Sequence, residues 1–404
     1  MSVSLSRTTI RRIIVDLIDE TLQTGPLKSG GRSAEPGEDT SLREGILGLD
    51  SVALLSVAGR LNSFFHLHEA GTEDYLLRAR RMGEWVDLIA DALEEGVQAV
   101  RFRTSGSTGV PREIDHRLSD LSRESRWLAS YLAGRERVIA TVAPRHIYGF
   151  LVTGMVPDIM DVPVVDGRSF GPRRWREELR SGDLIVSFPE YWSFLEQSLP
   201  DIPEEVWGVS STAPTPPHLI EALRRKGLDG VLEIYGSTET AGVGYRSDPQ
   251  APFELFPFWE RRGEGIARAD REGSDRGRSP DDTDAGDLVE LMDVLSWEGP
   301  RQFRPLRRRD HAVQVAGTNV FPRSIEERLR ERPGVEDVHV RLMRPSEGSR
   351  LKAAVVPEAQ ADRDRLREEL EEWIQGSLAA PERPVALRFF SELPRDSMGK
   401  LSDW

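Results

Sequence analysis

The sequence predicts a multidomain α/β protein: a small helical bundle over residues 1–95, a compact α/β core over 96–309, and a small α+β domain over 310–404. Three observations carry that expectation. The chain has 404 residues, more than one ordinary domain. Apolar residues recur at helical spacing before about residue 95, and beyond it short β-rich runs alternate with helical stretches. The last hundred residues repeat a strand, helix, strand, strand, helix, strand order of their own.

Each element follows from its pattern. In the first zone Ile10, Ile14, Leu17, Ile18 and Leu22 form one apolar stripe, Val52 and Leu55 a second, and Met82, Trp85, Val86 and Ile89 a third, so three helices are expected. Between the first two, "TGPLKSGGRSAEPGEDT" has almost nothing apolar to bury and reads as a mobile loop. In the second zone "VQAVRFR", "RVIATVA", "DLIVSF" and "GVLEIYG" read as strands and "PPHLIEALRRKG" as a helix, which predicts a largely parallel sheet. The stretch "RGEGIARADREGSDRGRSPDDTDAGD" reads as a charged flexible insert. In the third zone the strands are "AVQVAG", "VEDVHVRLM", "RLKAAVVP" and "PVALRFF", and the helices "PRSIEERLRER" and "DRDRLREELEEWIQGSL".

Composition excludes several classes of function. With 68 Asp plus Glu against 54 Lys plus Arg, the net charge of −14 disfavours nucleic acid and anionic membrane as partners. The chain has no cysteine, so disulfides, thiolate metal sites and a cysteine nucleophile are ruled out, in keeping with a reducing cytoplasm. No uncharged apolar run approaches the roughly 20 residues of a membrane span, and "MSVSLSRTTIRRIIVDLIDE" meets charge before it could build a secretory apolar region. A cytoplasmic protein is expected.

The stretch "RFRTSGSTGVPRE" raises the functional question. A strand delivers the chain into Thr104, Ser105, Gly106, Ser107, Thr108 and Gly109, where glycines allow close approach to a ligand and hydroxyls and backbone N–H groups suit phosphate. Arg112 adds a planar cation. The Walker ending Gly-Lys-Ser/Thr is missing. A hydroxyl-rich surface turn would look the same in isolation.

Other motifs stand in order along the chain. "TSGSTGVPR" resembles the phosphate loop of the adenylate-forming superfamily, which includes acyl- and aryl-CoA ligases and the compact ligase-like proteins of aryl polyene pathways. "IYGSTET", with Tyr235, Gly236, Thr238 and Glu239, resembles its Tyr-Gly-x-Thr-Glu motif, and "PRHIYGF", with His146, the His-x-x-Gly segment before the acid pocket. "TAPTPPHLIEAL" resembles the Gly-Ala-Pro turn and its helix, "RRRDHAVQVAGTNVFPRSIEE" the hinge and first strands of a mobile C-terminal domain, and "LPRDSMGKLSDW" the terminal Leu-Pro-Arg-x-x-x-Gly-Lys motif.

The resemblance implies ATP-dependent activation of a carboxylic acid to an acyl-adenylate with loss of pyrophosphate, then transfer to a thiol. Both partners are anions, so catalysis would rest on positioning and charge neutralisation. By resemblance, residues 104–109 would hold the β- and γ-phosphates of ATP, Thr238 would bond the α-phosphate, and Glu239 would help hold Mg²⁺, a hard cation that prefers oxygen ligands. Asp293 would take the ribose hydroxyls, although Leu291 and Met292 replace the family's Thr-Gly before it, and Arg308 would donate to ribose or phosphate. Lys400 would neutralise the substrate carboxylate and α-phosphate, and Asp310 would be the hinge about which the last domain turns. Taken singly, Glu239 also reads as a helix-start carboxylate, Asp293 as a turn residue, Lys400 as a solvated charge, His146 as a loop histidine and Asp310 as a strand-edge charge.

Within the first zone "ILGLDSVALLSV" resembles the modification site of acyl carrier proteins, with Asp50 capping a helix and Ser51 exposed for phosphopantetheine. The thiol acceptor would then be this chain's own carrier, after action of a phosphopantetheinyl transferase, or a separate carrier protein, or CoA. An ordinary Asp-Ser helix start, with the first zone purely structural, is the alternative. The acid is expected to lack an α-amino group, because no Asp follows Tyr148 where amino-acid-activating relatives place one; a hydroxybenzoate or cinnamate is favoured. The competing reading is a nucleotide- or acyl-binding protein that kept the fold and lost the chemistry.

Overall fold

In the computed structural model, residues 5–24, 36–45, 47–104, 112–269, 288–289, 291–308, 312–315, 318–344, 347–394 and 404 are described. Two compact units emerge. One holds the described residues of 1–104, 113–289 and 298–303, and the other Arg112 with those of 290–297 and 304–404.

The first unit begins with helices α1 (Arg7–Thr24), α2 (Ser51–Phe65) and α3 (Met82–Glu95). The stripe of α1 is buried as its spacing requires, with Ile10, Ile13, Ile14 and Ile18 fully enclosed. Asp50 caps α2 by accepting the Ala53 N–H at 2.8 Å, and His66 ends it in the left-handed region at φ 51°. The buried face of α2 is Leu54, Val57, Ala58 and Leu61, whereas Val52 and Leu55 are exposed. This corrects the stripe expected from Val52 and Leu55: two apolar residues three apart fix no face when the true seam runs beside them.

Strands β1 (Ala99–Thr104) and β2 (Arg112–Arg117) pair, and α4 (Leu118–Tyr131) follows. The main sheet then takes β3 (Arg137–Ala140), a helix that runs as α5 (Ile147–Phe150), a wide turn at 151–155 and α6 (Val156–Met160), then β4 (Val164–Asp166), α7 (Pro172–Glu178), β5 (Asp183–Ser187), α8 (Pro189–Ser198), β6 (Trp207–Ser210), α9 (Pro217–Arg225), β7 (Gly230–Ser237), β8 (Ala241–Arg246) and β9 (Phe253–Leu255). Strands β4, β3, β5, β6 and β7 lie parallel in that spatial order, as alternation with helices requires, and β8 and β9 continue antiparallel. Every residue of β5 is buried, which explains its unbroken apolar run. Trp175, Trp192, Leu219 and Leu223 pack from α7, α8 and α9 onto Ile139, Ile185 and Val231.

A second, three-stranded sheet contains β10 (Trp259–Arg262), β11 (Gly265–Arg268) and β12 (Leu288–Val289). The insert expected over 262–287 is thus ordered in part, since Gly265 to Arg268 pair with β10; its stretch 270–287 lies outside the described residues, as does 25–35 of the first expected loop.

The described residues of 1–95, expected as a helical domain, fall in the first unit, and α1 is tied to the core by ion pairs. Asp16, 1% exposed, accepts from Arg145 at 2.6 Å and from Arg168, Ser6 bonds Asp158 through its N–H and hydroxyl, and Arg12 donates to the Thr153 carbonyl. Burying a carboxylate without cationic partners would be prohibitive, so these contacts fix α1 in place.

In the second unit, β13 (Asp293–Trp297) and the end of β14 (Gln302–Arg308) precede the hairpin β15 (Val313–Val315) and β16 (Thr318–Val320). Helix α10 (Pro322–Arg330), β17 (Val335–Leu342), β18 (Leu351–Pro357), α11 (Arg363–Ser377) and β19 (Pro384–Phe389) follow in the order read from the sequence. Both helices share a core with the sheet through Ile325, Leu329, Leu366, Leu370 and Val355. No helix among the described residues is long and apolar enough to cross a membrane.

Candidate active site

Three loops leave the carboxyl ends of the parallel strands β3, β6 and β7, with β6 beside β7 and β5 between β6 and β3, at the edge where open α/β sheets bind ligands. They carry His146, Thr212 and the pair Thr238 and Glu239.

The turn from β7 to β8 is the most tightly built. Gly236 pairs with Gly242, and a Cβ on Gly236 would stand 2.1 Å from the Ala241 carbonyl oxygen, so only glycine lets the strands close here. The Ser237 N–H donates to Thr240 Oγ1 at 3.1 Å, and Thr240 Oγ1 donates to the Ala241 carbonyl at 2.8 Å. Ala241 lies in the left-handed region at φ 60°. These bonds hold Thr238 half-buried and Glu239 exposed at the tip, available as a hydroxyl and a carboxylate. Tyr235 packs its ring against Phe303 and Phe253, with centroids 5.2 and 5.7 Å away.

Two residues behind this turn were not legible as site residues. His116, buried on β2, donates its Nε2 proton to the Thr238 carbonyl at 2.6 Å. Burial holds its pKa below the usual histidine value, against the opposing effect of that bond, so a neutral imidazole props the turn. Its ring meets Phe102 edge-on at 5.8 Å, and Phe102 meets Phe150 and Phe64 at 5.4 Å each, linking α2, β1 and α5 to the turn. Glu124 of α4 is fully buried and accepts the Gly242 N–H at 3.1 Å; burial pushes its pKa up to about 7, against the pull of the Arg268 cation. The available signal was an acid at position 124 on a helix face shared with buried Leu121 and Leu128.

His146 caps the helix that begins at Ile147. The residue is exposed, and the protein atoms around its imidazole, followed by the Arg145 cation, lower its pKa to about 4. It is neutral at pH 7. Gly149 is required nearby, since a Cβ would lie 2.1 Å from the Ala143 carbonyl oxygen. The Tyr148 hydroxyl lies 3.0 Å from both the Ser187 and Val209 carbonyl oxygens, so it clamps the ends of β5 and β6 and takes no site role.

Thr212, after β6, is a β-branched residue at φ 78°, a conformation ordinarily left to glycine, and its hydroxyl is buried with no protein partner. Beside it the Thr215 N–H donates to buried Glu233 at 2.9 Å, and Glu233 is held by Arg246 at 2.7 Å, so the strained turn is braced.

The other expected site residues are distributed as follows. Asp293 begins β13, half-buried, and Arg112 is exposed at the start of β2. Thr104 and Arg308 close β1 and β14 in backbone. Ser105, Gly106, Ser107, Thr108, Gly109, Asp310 and Lys400 lie outside the described residues. Trp404, four positions after Lys400, sets its ring 4.5 Å from Lys352 Nζ and 6.0 Å from Phe390. Ser51 is exposed at the start of α2, with Arg43 Nη1 3.4 Å from its hydroxyl.

Residues 324–400 match the family model described as the AMP-binding enzyme C-terminal domain. A 4-coumarate–CoA ligase of Halorhodospira halophila is 36% identical over 97% of this chain and 98% of its own. One from Rhodobacter capsulatus is 35% identical over 98% and 100%. Among solved structures, the amide bond synthetase McbA from Marinactinospora thermotolerans superposes with a TM-score of 0.59 over 97% of this chain and 92% of its own; at 17% identity this likeness speaks for the fold alone.

Proposed function

This chain belongs to the adenylate-forming superfamily as an AMP-forming acid–CoA ligase, and from that premise we propose that its acid is a hydroxycinnamate such as 4-coumarate and its acceptor CoA itself. The proposal is carried by the match to two 4-coumarate–CoA ligases almost end to end, in a chain that places His146, Thr212, Thr238 and Glu239 on loops after the carboxyl ends of parallel strands of one sheet. His146 is neutral at pH 7, so it offers the acid a hydrogen bond and no competing charge.

In the first step a carboxylate oxygen attacks the α-phosphorus of ATP, and the bond to the bridging oxygen breaks as pyrophosphate leaves with the electron pair. Residues 104–109 and Arg112 orient the β- and γ-phosphates, and Thr238 donates its hydroxyl proton in a hydrogen bond to the α-phosphate. Lys400 offsets the charge of the two anions as they meet, and Asp293 with Arg308 seats the ribose. Glu239, an exposed carboxylate on a rigid turn, fits the oxygen preference of Mg²⁺, which when bound would neutralise phosphate charge. In the second step the CoA sulfur attacks the acyl carbon, the carbon–oxygen bond to AMP breaks, and the thiol proton passes to solvent; turning at Asp310 removes Lys400 and admits the thiol.

CoA is preferred to the chain's own Ser51 because α1, α2 and α3 belong to the core unit, whereas a carrier must travel as an independent bundle, and it is preferred to a separate carrier because the relatives are CoA ligases. Intact mass after incubation with CoA and a phosphopantetheinyl transferase should show Ser51 unmodified. The reaction itself is tested by ATP–pyrophosphate exchange over a panel of carboxylic acids. Exchange should be greatest with hydroxycinnamates and fall at least 100-fold in Lys400→Ala; exchange with no acid would leave a nucleotide-binding protein, and a preference for aliphatic acids would overturn the substrate assignment.

A further inference from the structure

We propose that His66, His68 and Glu69 form a binding site for a zinc-class divalent ion, separate from the reaction's Mg²⁺. One ligand atom from each lies within 4.8 Å of the other two, on a turn that follows α2 directly. Backbone geometry builds the turn: His66 at φ 51° ends the helix, a single 3-10 turn spans Leu67–Glu69, and the His68 N–H donates to Asn62 Oδ1 at 3.0 Å.

The spacing of the ligand atoms suits a shared metal. His66 Nδ1 and Glu69 Oε1 are 3.3 Å apart. Two ligand atoms on a tetrahedral zinc, each about 2.0–2.1 Å from the metal, stand about 3.4 Å apart. The other ring nitrogen, Nε2, is 3.2 Å from Asp115 Oδ1, and Asp115 is itself held by Arg101 through Nε at 2.6 Å and Nη2 at 2.9 Å. A ligating histidine ordinarily gives its second N–H to a carboxylate, which fixes tautomer and ring plane. His66 is buried and fixed while His68 and Glu69 are exposed, so one pre-set nitrogen faces two adjustable donors and a fourth position stays open to water. Two imidazoles and one carboxylate suit zinc, nickel or copper better than magnesium. Through Asp115 the ion would tie the end of α2 to β2, the strand that leaves the 105–111 stretch.

The test uses the full chain, stripped with EDTA and titrated with Zn²⁺ alone by calorimetry and with Co²⁺ by visible absorption. One equivalent should bind, with the absorption of a four-coordinate Co²⁺ adduct, and excess Mg²⁺ should leave the Zn²⁺ isotherm unchanged. His68→Ala and Glu69→Gln, both at exposed positions, should each weaken Zn²⁺ at least tenfold and abolish the Co²⁺ bands. Zn²⁺ should raise the melting temperature of the parent chain and of neither variant. Failure to bind one equivalent, or binding indifferent to both substitutions, overturns the site.

Discussion

Replacing Glu124 by Gln should remove the pH dependence of stability contributed by the buried acid behind the β7–β8 turn. The folded pKa is raised from 4.5 to about 7, so between those values the folded state holds a proton that the unfolded chain has lost. Its stabilising effect is complete below 4.5 and disappears as pH rises through 7. The swing is the shift of roughly 2.5 units at 1.36 kcal/mol each, about 3 kcal/mol, undiminished by solvent because the carboxyl is fully buried. A Gln carbonyl still accepts the Gly242 N–H and cannot ionise. Urea unfolding at intervals from pH 4.5 to 8.5 should therefore show Glu124→Gln gaining on the parent as pH rises, to a plateau about 3 kcal/mol higher. A stability difference that stays constant across this range would refute the argument, since it would place the carboxyl in the same ionisation state throughout. The two histidines act oppositely. His116 and His146 have lowered pKa values, so their contribution is present above about 6.5 and is lost as pH falls, and the variant should show that acid loss unmasked.

Thr212→Gly removes both a left-handed β-branched backbone and a buried unpaired hydroxyl; after glycine's greater unfolded freedom is offset, it should gain about 1 kcal/mol by urea unfolding and raise the KM for the acid, whereas destabilisation would show that the turn is unstrained. Asp16→Ala leaves Arg145 and Arg168 without their shared buried carboxylate and should cost about 3 kcal/mol, read in calorimetry as one cooperative transition moving down. If α1 belonged to an independent bundle, the transition of the main sheet would stay in place.

The helices and the three-stranded sheet of the last domain were legible among the described residues, because α10 and α11 carry apolar stripes and the strands alternate or, in β18, are apolar but for Lys352, while the short strand β16 was not read. Of the parallel strands, β3, β5 and β7 were legible, whereas β4 and β6 were not, and the strand expected over 97–103 pairs with β2 outside that sheet. The role of residues 1–95 was not legible. Spacing shows that Ile10, Ile14 and Leu17 face something apolar but is silent on what; the answer lies in Asp158, Arg145 and Arg168, more than a hundred residues away. Thr238 and Glu239 were found because the hydroxyl and acid lie within one short motif, while His116 and Glu124 support them from β2 and α4. Such buried polar partners are chosen by tertiary contact, which local pattern does not encode.

The ion pairs of Asp16 also bear on how the chain is made. Its partners follow 129 and 152 residues later, which at about 5–20 residues per second is about 6–30 s of synthesis. Throughout that interval α2 and α3 can cover the apolar stripe of α1, but its acid Asp16 lacks both arginine partners and must stay solvated. Asp16 is thus paired only once Arg145 and Arg168 have been made, and slowing the ribosome before Arg168 should lengthen the exposure of α1 to proteases.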